Sequence, residues 1–169
     1  MAGEISTAGI KIKYAPETTA GQRPATGFKE KATGATMNIA DYVTGISGLT
    51  AEFEQYEVTP LSEKQRHRFI PGLQGNDGNI SLNANINPMS RDDWDKIVAE
   101  YEALTGGLGL WFEFNLPGDT KSMYFRCAPC PMGFPDVEVA QAVQGAIQLI
   151  ENQCDGWQNA TGDTGATGA

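Results

Sequence analysis

The chain has 169 residues, 40% of them hydrophobic and 20% charged, with a formal net charge of −9. That length suits one domain with a real core, and that balance excludes global disorder. The excess of acid excludes a general binder of nucleic-acid backbones, and no window approaches the roughly 20 apolar residues of a membrane span.

Residues 1–37 read as an extended N-terminal arm rich in Gly, Ala and Thr. Ile10, Ile12 and Tyr14 alternate with Lys11 and Lys13, the period of a short strand, and the Pro- and Gly-containing stretch behind them has no period. Such an arm is expected to bury little in its own domain and to order on a neighbouring subunit. The opening Met-Ala-Gly-Glu-Ile-Ser-Thr lacks the charged and apolar regions of a signal peptide, so the sequence predicts synthesis and folding in a cytoplasm.

A β domain is expected over 38–157, and the 20 glycines suit its many turns. Its strand at about 49–58 alternates Leu49, Ala51 and Phe53 with Thr50, Glu52 and Glu54. The connection 59–68 carries Lys64, Arg66, His67 and Arg68 and reads as an extended loop or a long hairpin. Asn76-Asp77-Gly78 tolerates the positive φ of a tight turn. After it Ile80, Leu82, Ala84 and Ile86 alternate with polar residues as a half-buried strand over 80–87.

A helix is predicted over about 90–105, with Ser90 as its cap and Asp93 in an acidic first turn. Trp94, Ile97, Val98, Tyr101 and Leu104 fall on one face, which should cover a sheet, and Gly106-Gly107 ends it. Leu108, Leu110, Phe112 and Phe114 form the next strand. A turn at Asn115-Leu-Pro-Gly-Asp119 returns the chain as a hairpin partner over 121–127.

The last strand is predicted over about 136–150. Its odd positions, Val137, Val139, Val143, Ile147 and Leu149 among them, are apolar and suit a core. Its even positions, Ala140, Ala142, Gln144, Ala146 and Gln148, are small or neutral and suit a wetted wall. About fifteen residues exceed the usual strand, as in a sheet continued across subunits. Residues 158–169 repeat Gly, Thr and Ala in too few triplets for collagen and read as a flexible tail.

Chemistry finds little support. Cys127-Ala-Pro-Cys130 could hold a metal or a redox disulfide, with Cys154 further on. However, the motif closes a strand and has no helix N-terminus to lower a thiol pKa. An odd cysteine count points to reduced thiols. His67 is the sole histidine and has no partner motif, and Asp92, Asp93 and Asp95 suit a helix's first turn without any metal. The sequence therefore predicts no catalytic residue, no metal and no cofactor.

Phe69-Ile-Pro-Gly-Leu73, Asp77-Gly78 and Asn85-Ile-Asn-Pro88, followed by a helix, a hairpin and a long strand, make the chain resemble the tail tube proteins of long-tailed, siphovirus-type bacteriophages. The resemblance runs from about Ile46 to Gln153; the Cys-Ala-Pro-Cys segment and the glycine triplets lie outside the family pattern. It implies a mainly β sandwich or barrel with one flanking α-helix, and hexameric rings stacked into a hollow tube. The wall at Ala140, Ala142, Gln144, Ala146 and Gln148 would then line the lumen, through which DNA passes without specific binding. Ile10, Ile12 and Tyr14 on the arm and Lys64, Arg66 and Arg68 on the 59–69 loop would make contacts between subunits or rings. Implied partners are further copies of the chain and tape-measure, terminator and distal tail proteins, in a virion assembled in the bacterial cytoplasm with no membrane insertion. The alternatives are the inner tube of a contractile injection or secretion system and, in another class, a monomeric β-sandwich binding module.

Overall fold

A computed structural model describes residues 9–49, 52–62, 64–75, 79–135 and 137–160. In chain order the elements are β1 (Lys11–Pro16), α1 (Ile39–Tyr42), β2 (Val43–Ser47), β3 (Glu52–Glu57), β4 (Phe69–Gly75), β5 (Asn79–Asn85), α2 (Pro88–Glu102), β6 (Leu110–Asn115), β7 (Lys121–Pro129) and β8 (Gln144–Asn159). Six strands form one antiparallel sheet in the order β1-β6-β7-β8-β5-β2, while β3 and β4 pair separately as a two-stranded hairpin. The hairpin is the long form foreseen for the charged connection. The Asn76-Asp77-Gly78 turn and the tail from 161 lie outside the described residues.

Alternation builds the core. Ile12 and Tyr14 on β1, Leu110, Phe112 and Phe114 on β6, Met123, Phe125 and Cys127 on β7, Ile147 and Leu149 on β8, and Ile80, Leu82 and Ala84 on β5 all turn to one face and are buried. Helix α2 covers that face with Trp94, Ile97 and Val98, and Trp94 donates its indole N–H to the Cys130 carbonyl at 2.9 Å. Between β6 and β7 the turn places Pro117 ahead of Gly118 (φ 74°), and the Asp119 amide donates to the Leu116 carbonyl at 3.1 Å, the geometry of a type II turn.

Three expectations change. The helix starts earlier than Ser90: Asn87 is the cap, accepting the Ser90 amide at 2.9 Å while Ser90 Oγ accepts the Asn87 amide at 3.0 Å. Pro88 occupies the first turn, where its missing N–H costs no hydrogen bond. Asp93 is not a capping residue; its buried carboxylate accepts the Met37 amide at 2.8 Å and the Thr36 amide at 3.2 Å, tying the chain before α1 to the helix.

Residues 11–16 do not belong to a coreless arm. Paired to β6 from Lys11↔Asn115 to Pro16↔Leu110, they put Ile12 and Tyr14 in the core, so the boundary at residue 37 is not a domain boundary. Those two side chains are accordingly spent inside the subunit and are unavailable to a neighbour. The Tyr14 hydroxyl donates to Glu100 Oε2 at 2.7 Å, and burial first, then that carboxylate, pushes its pKa well above the usual tyrosine range.

The last strand is shifted towards the C-terminus. It occupies 144–159 rather than 136–150, and residues 158–159 belong to it rather than to a tail. Ala140 adopts a left-handed φ of 67°, which a residue other than glycine rarely takes inside a strand, and Val137 and Val139 stay outside the core while Ile147 and Leu149 enter it. Gly145 lets the strand's start pack closely: a Cβ there would lie 2.6 Å from Ile86 Cδ1 and 3.2 Å from Pro135 Cβ, so the Ile86 side chain would have to swing aside.

Two substitutions test this packing by denaturant unfolding. Trp94→Ala empties the centre of the helix–sheet contact and should lower stability by about 3–5 kcal/mol. Tyr42 is buried with a hydroxyl that finds no hydrogen-bond partner among the described residues, so Tyr42→Phe should leave stability unchanged or raise it by about 1 kcal/mol. A large loss in Tyr42→Phe would mean that the hydroxyl is satisfied.

Candidate functional site: an uncharged open face of the sheet

The second face of the six-stranded sheet is divided. Over β1, β6 and β7 it is sealed by the chain that follows β1. Glu17, itself buried, accepts the Trp111 indole N–H at 3.0 Å and the Gly21 amide at 2.7 Å, and its carboxylate also pairs with the Arg126 guanidinium. Arg126 spans onward to the Gly107 carbonyl at 2.9 Å. Arg23 lies 4.2 Å over the Tyr124 ring and pairs with Asp155 at 3.0 Å, and Phe28 meets the same ring edge-on at 5.5 Å. Trp111, Glu113, Ser122 and Tyr124 are buried beneath this cover.

Over β8, β5 and β2 the same face is open. The register sets Gln144 opposite Asn85, Ala146 opposite Asn83, Gln148 opposite Ser81 and Ile150 opposite Asn79. Gly45 and Ser47 extend the row from β2, opposite Asn83 and Ser81. Gln144 Nε2 donates to Asn85 Oδ1 at 3.0 Å, a cross-strand amide pair that fixes both side chains. No position in these rows carries a charge, in a chain of which 20% is charged.

The structure thus brings Gln144, Ala146 and Gln148 together on one exposed wall. Ala140 and Ala142 are not on it: they are exposed in the connection that leads into β8, as the left-handed Ala140 requires. Lys64, Arg66 and Arg68 are exposed on the β3–β4 connection. There Glu57 Oε1 meets His67 Nδ1 at 2.7 Å, and the Arg68 amide donates to Thr59 Oγ1 at 2.8 Å, holding the base of the connection closed. Ile10 is half-buried beside a groove between β1 and β2. The wall's partners on β5 were present in the sequence as alternating Ser81, Asn83 and Asn85. The Glu17–Arg126 pair that seals the other half had no signal, since 109 residues separate its members.

The cysteines do not form a site. Cys127 is buried and its thiol is pushed well above the usual range by burial first and then by the nearby Glu151 charge; Cys130 is half-buried and Cys154 exposed. Among the described residues no three of His, Cys, Asp and Glu converge as metal ligands.

No protein-family model and no curated protein matches this sequence. Solved structures match the fold. The chain overlays a component of the anti-feeding prophage baseplate, six-fold symmetrised, with TM-score 0.54 and 12% identity over 94% of this chain and 98% of the other. It overlays a component of the anti-feeding prophage tube-terminating cap with TM-score 0.51 and 15% identity over 95% of each chain. A component of the sheath–tube complex of an extracellular contractile injection system, in its extended state, matches at TM-score 0.46 and 11% identity over 89% of each chain. The chain is mainly β with a flanking helix and has a tail-tube-like fold.

Thiol titration of the native protein checks the cysteine environments. Cys154 should react first, and Cys127 should stay silent until the protein is unfolded. A fast-reacting Cys127 would contradict its burial.

Proposed function

We propose that this chain is a non-enzymatic structural subunit of a self-assembling tube in an injection-system or tail-like particle, with the open face of β2, β5 and β8 turned to the channel. The observation that carries the reading is that face. A solvated sheet surface in so acidic a protein would ordinarily bear charges, and this one offers only amides, the hydroxyls of Ser47 and Ser81, and apolar groups. A channel wall of that kind gives a passing polyanion no cation to stick to, and it presents no repulsive ring of carboxylates either. The full-length overlays on baseplate and cap components support the injection-system version over the siphovirus-type one.

In the long-tailed phage version the cargo is DNA and the further partners are tape-measure, terminator and distal tail proteins of a virion built in the bacterial cytoplasm. In either version Lys64, Arg66 and Arg68 on the projecting hairpin and Ile10 beside the β1–β2 groove are the residues we assign to contacts between copies. Ile12 and Tyr14 are withdrawn from that role by their burial. A monomeric binding module finds no support in the aromatic residues that would line its cleft. Trp111 is fully buried, while Tyr56 and Trp157 lie exposed on different sheets.

Sedimentation velocity and negative-stain microscopy of the purified protein should reveal rings or tubes with a central channel; a chain that remains monomeric at every concentration would end the reading. Gln148→Lys should leave assembly unchanged, because the side chain is exposed. A ring repeats each added charge around the channel, so the variant tubes should retain DNA in a salt-sensitive way while the parent tubes do not. Loss of assembly in Gln148→Lys would place that wall at an interface instead.

A further inference from the structure

Strand β8 takes in two extra residues along its pairing with β7. Cys127 faces Glu151 and Arg126 faces Gln153, so Asn152 has no residue opposite it. Phe125 faces Cys154 and Tyr124 faces Gly156, so Asp155 has none either. Each is a β-bulge, which bends the strand that carries it. Both lie between residues 144–150, which carry β5 and through it β2, and residues 156–159, which among the described residues pair with β7 alone. The direction in which the β2–β5 half leaves the β1–β6–β7 half is therefore decided at these two residues. Across the groove the halves face each other again, where β1 and β2 line opposite walls and do not pair.

Both bulged side chains are held, each by an arginine. Arg126 Nη1 donates to Asn152 Oδ1 at 3.2 Å, and Arg23 Nε donates to Asp155 Oδ2 at 3.0 Å. The arginines are themselves fixed. Arg126 pairs with the buried Glu17 and donates to the Gly107 carbonyl at 2.9 Å, and a Cβ on Gly109 would lie 2.9 Å from its Nε. Arg23 lies 4.2 Å over the Tyr124 ring. Glu17 and Arg23 belong to the segment after β1 that seals the second face, so that cover reaches both bulges and ties them to the β1–β6–β7 half. A bulge whose extra side chain meets only water is free to flex, whereas one bonded to a packed neighbour keeps one angle.

We propose that Arg126 and Arg23 form a clamp that fixes the bend of β8, and that this bend sets how many copies close a ring. The proposal deepens the assembly reading above and rests on it. The residues assigned there to contacts between copies sit on both halves. Lys64, Arg66 and Arg68 stand on the hairpin that continues from β2 and β5, and Ile10 stands just ahead of β1. The angle between the halves is then the angle between a copy's two contact surfaces. A head-to-tail contact closes into a ring only when its rotation divides a full turn, and every copy repeats the same angle. A bend free to vary would give rings of several sizes and open arcs, and a clamped bend gives one copy number.

The test uses the full chain. Asn152→Ala/Asp155→Ala removes the two acceptors and leaves the Glu17–Arg126 pair and the Arg23–Tyr124 contact in place. Partly exposed polar pairs add little to stability, so far-UV dichroism and the melting temperature should stay near the parent's. Arg126→Lys is a second variant, which keeps a cation beside Glu17 but lacks the guanidinium's fork of donors. The angle is read by pulsed electron spin resonance between nitroxides on Thr44→Cys and Lys121→Cys, both exposed positions, one on each half. Cys130→Ser and Cys154→Ser clear the background, and labelled chains are diluted into unlabelled ones. The parent should show one narrow distance and both variants a shifted or broadened one. Native mass spectrometry and negative-stain microscopy should show a single ring size for the parent and several for the variants. An unchanged distance distribution overturns the clamp, whether or not the chain assembles. A changed distribution with the parent's single ring size overturns the link from bend to copy number while the ring reading stands. Folded variants that stay monomeric would do the same, by placing these side chains in the contact itself. A parent that never assembles ends the ring reading, and the distance measurement still decides the clamp.

Discussion

The sheet depends on one strand belonging to two half-sheets at once. β8 pairs with β5 through residues 144–150 and with β7 through residues 149–159, and the two pairings overlap only at Leu149 and Ile150. Leu149 has Ile80 on one side and Pro129 on the other, and it is fully buried. The β2–β5 half and the β1–β6–β7 half are therefore hinged through a short stretch of one backbone. Two register shifts in the β7–β8 pairing, between Glu151 and Gln153 and between Cys154 and Gly156, together with the positive φ of Gly156, let the long strand bend beyond this overlap while its ladder continues.

That stagger explains the divided second face. Where β7 carries Tyr124 and Arg126, the face is wide enough for the segment after β1 to cross and cover it, and Glu17 anchors the crossing. A buried carboxylate is costly unless its lone pairs are filled, and Trp111, Gly21 and Arg126 fill them. Among the described residues no covering segment reaches the β5 side. There the strands meet water with amides and hydroxyls, which satisfy themselves across the ladder, as Gln144 and Asn85 do. Closure on one half and exposure on the other thus follow from where a single charged cluster is neutralised.

Much of this was legible because period-two alternation is a local signal. β5, β6, β7 and the covering face of α2 follow from the spacing of their apolar residues. What failed was non-local. The alternation of Val137 and Val139 is as good as that of Ile147 and Leu149, and only the left-handed Ala140 between them separates strand from connection. Ile10, Ile12 and Tyr14 read as an arm because the residues behind them lack a period, whereas their burial depends on β6, far along the chain. The helix start was misplaced because Ser90 resembles a cap, and the competing cap, Asn87, precedes a proline that is harmless in a first turn. Of the candidate wall, Gln144, Ala146 and Gln148 were readable from β8 alone, but their partners on β5 and β2 required the register.

The chain's net charge sets a further condition on how copies can meet. Each copy carries −9, so approach is opposed at long range until salt screens it, within about 10 Å at ordinary ionic strength. Association then has to be carried by short-range apolar and main-chain contacts, with the few exposed basic residues guiding orientation. The charge is distributed accordingly. The open wall is neutral, Lys64, Arg66 and Arg68 stand together and exposed on the hairpin connection, and Lys13 is buried within the sheet. In the assembly proposed above, the basic residues gathered at the hairpin, in a molecule otherwise dominated by acid, would favour head-to-tail encounters over face-to-face ones. Like surfaces repel, and unlike surfaces present opposite signs. A heterologous contact is the geometry that produces rings and tubes, the mode of association proposed above.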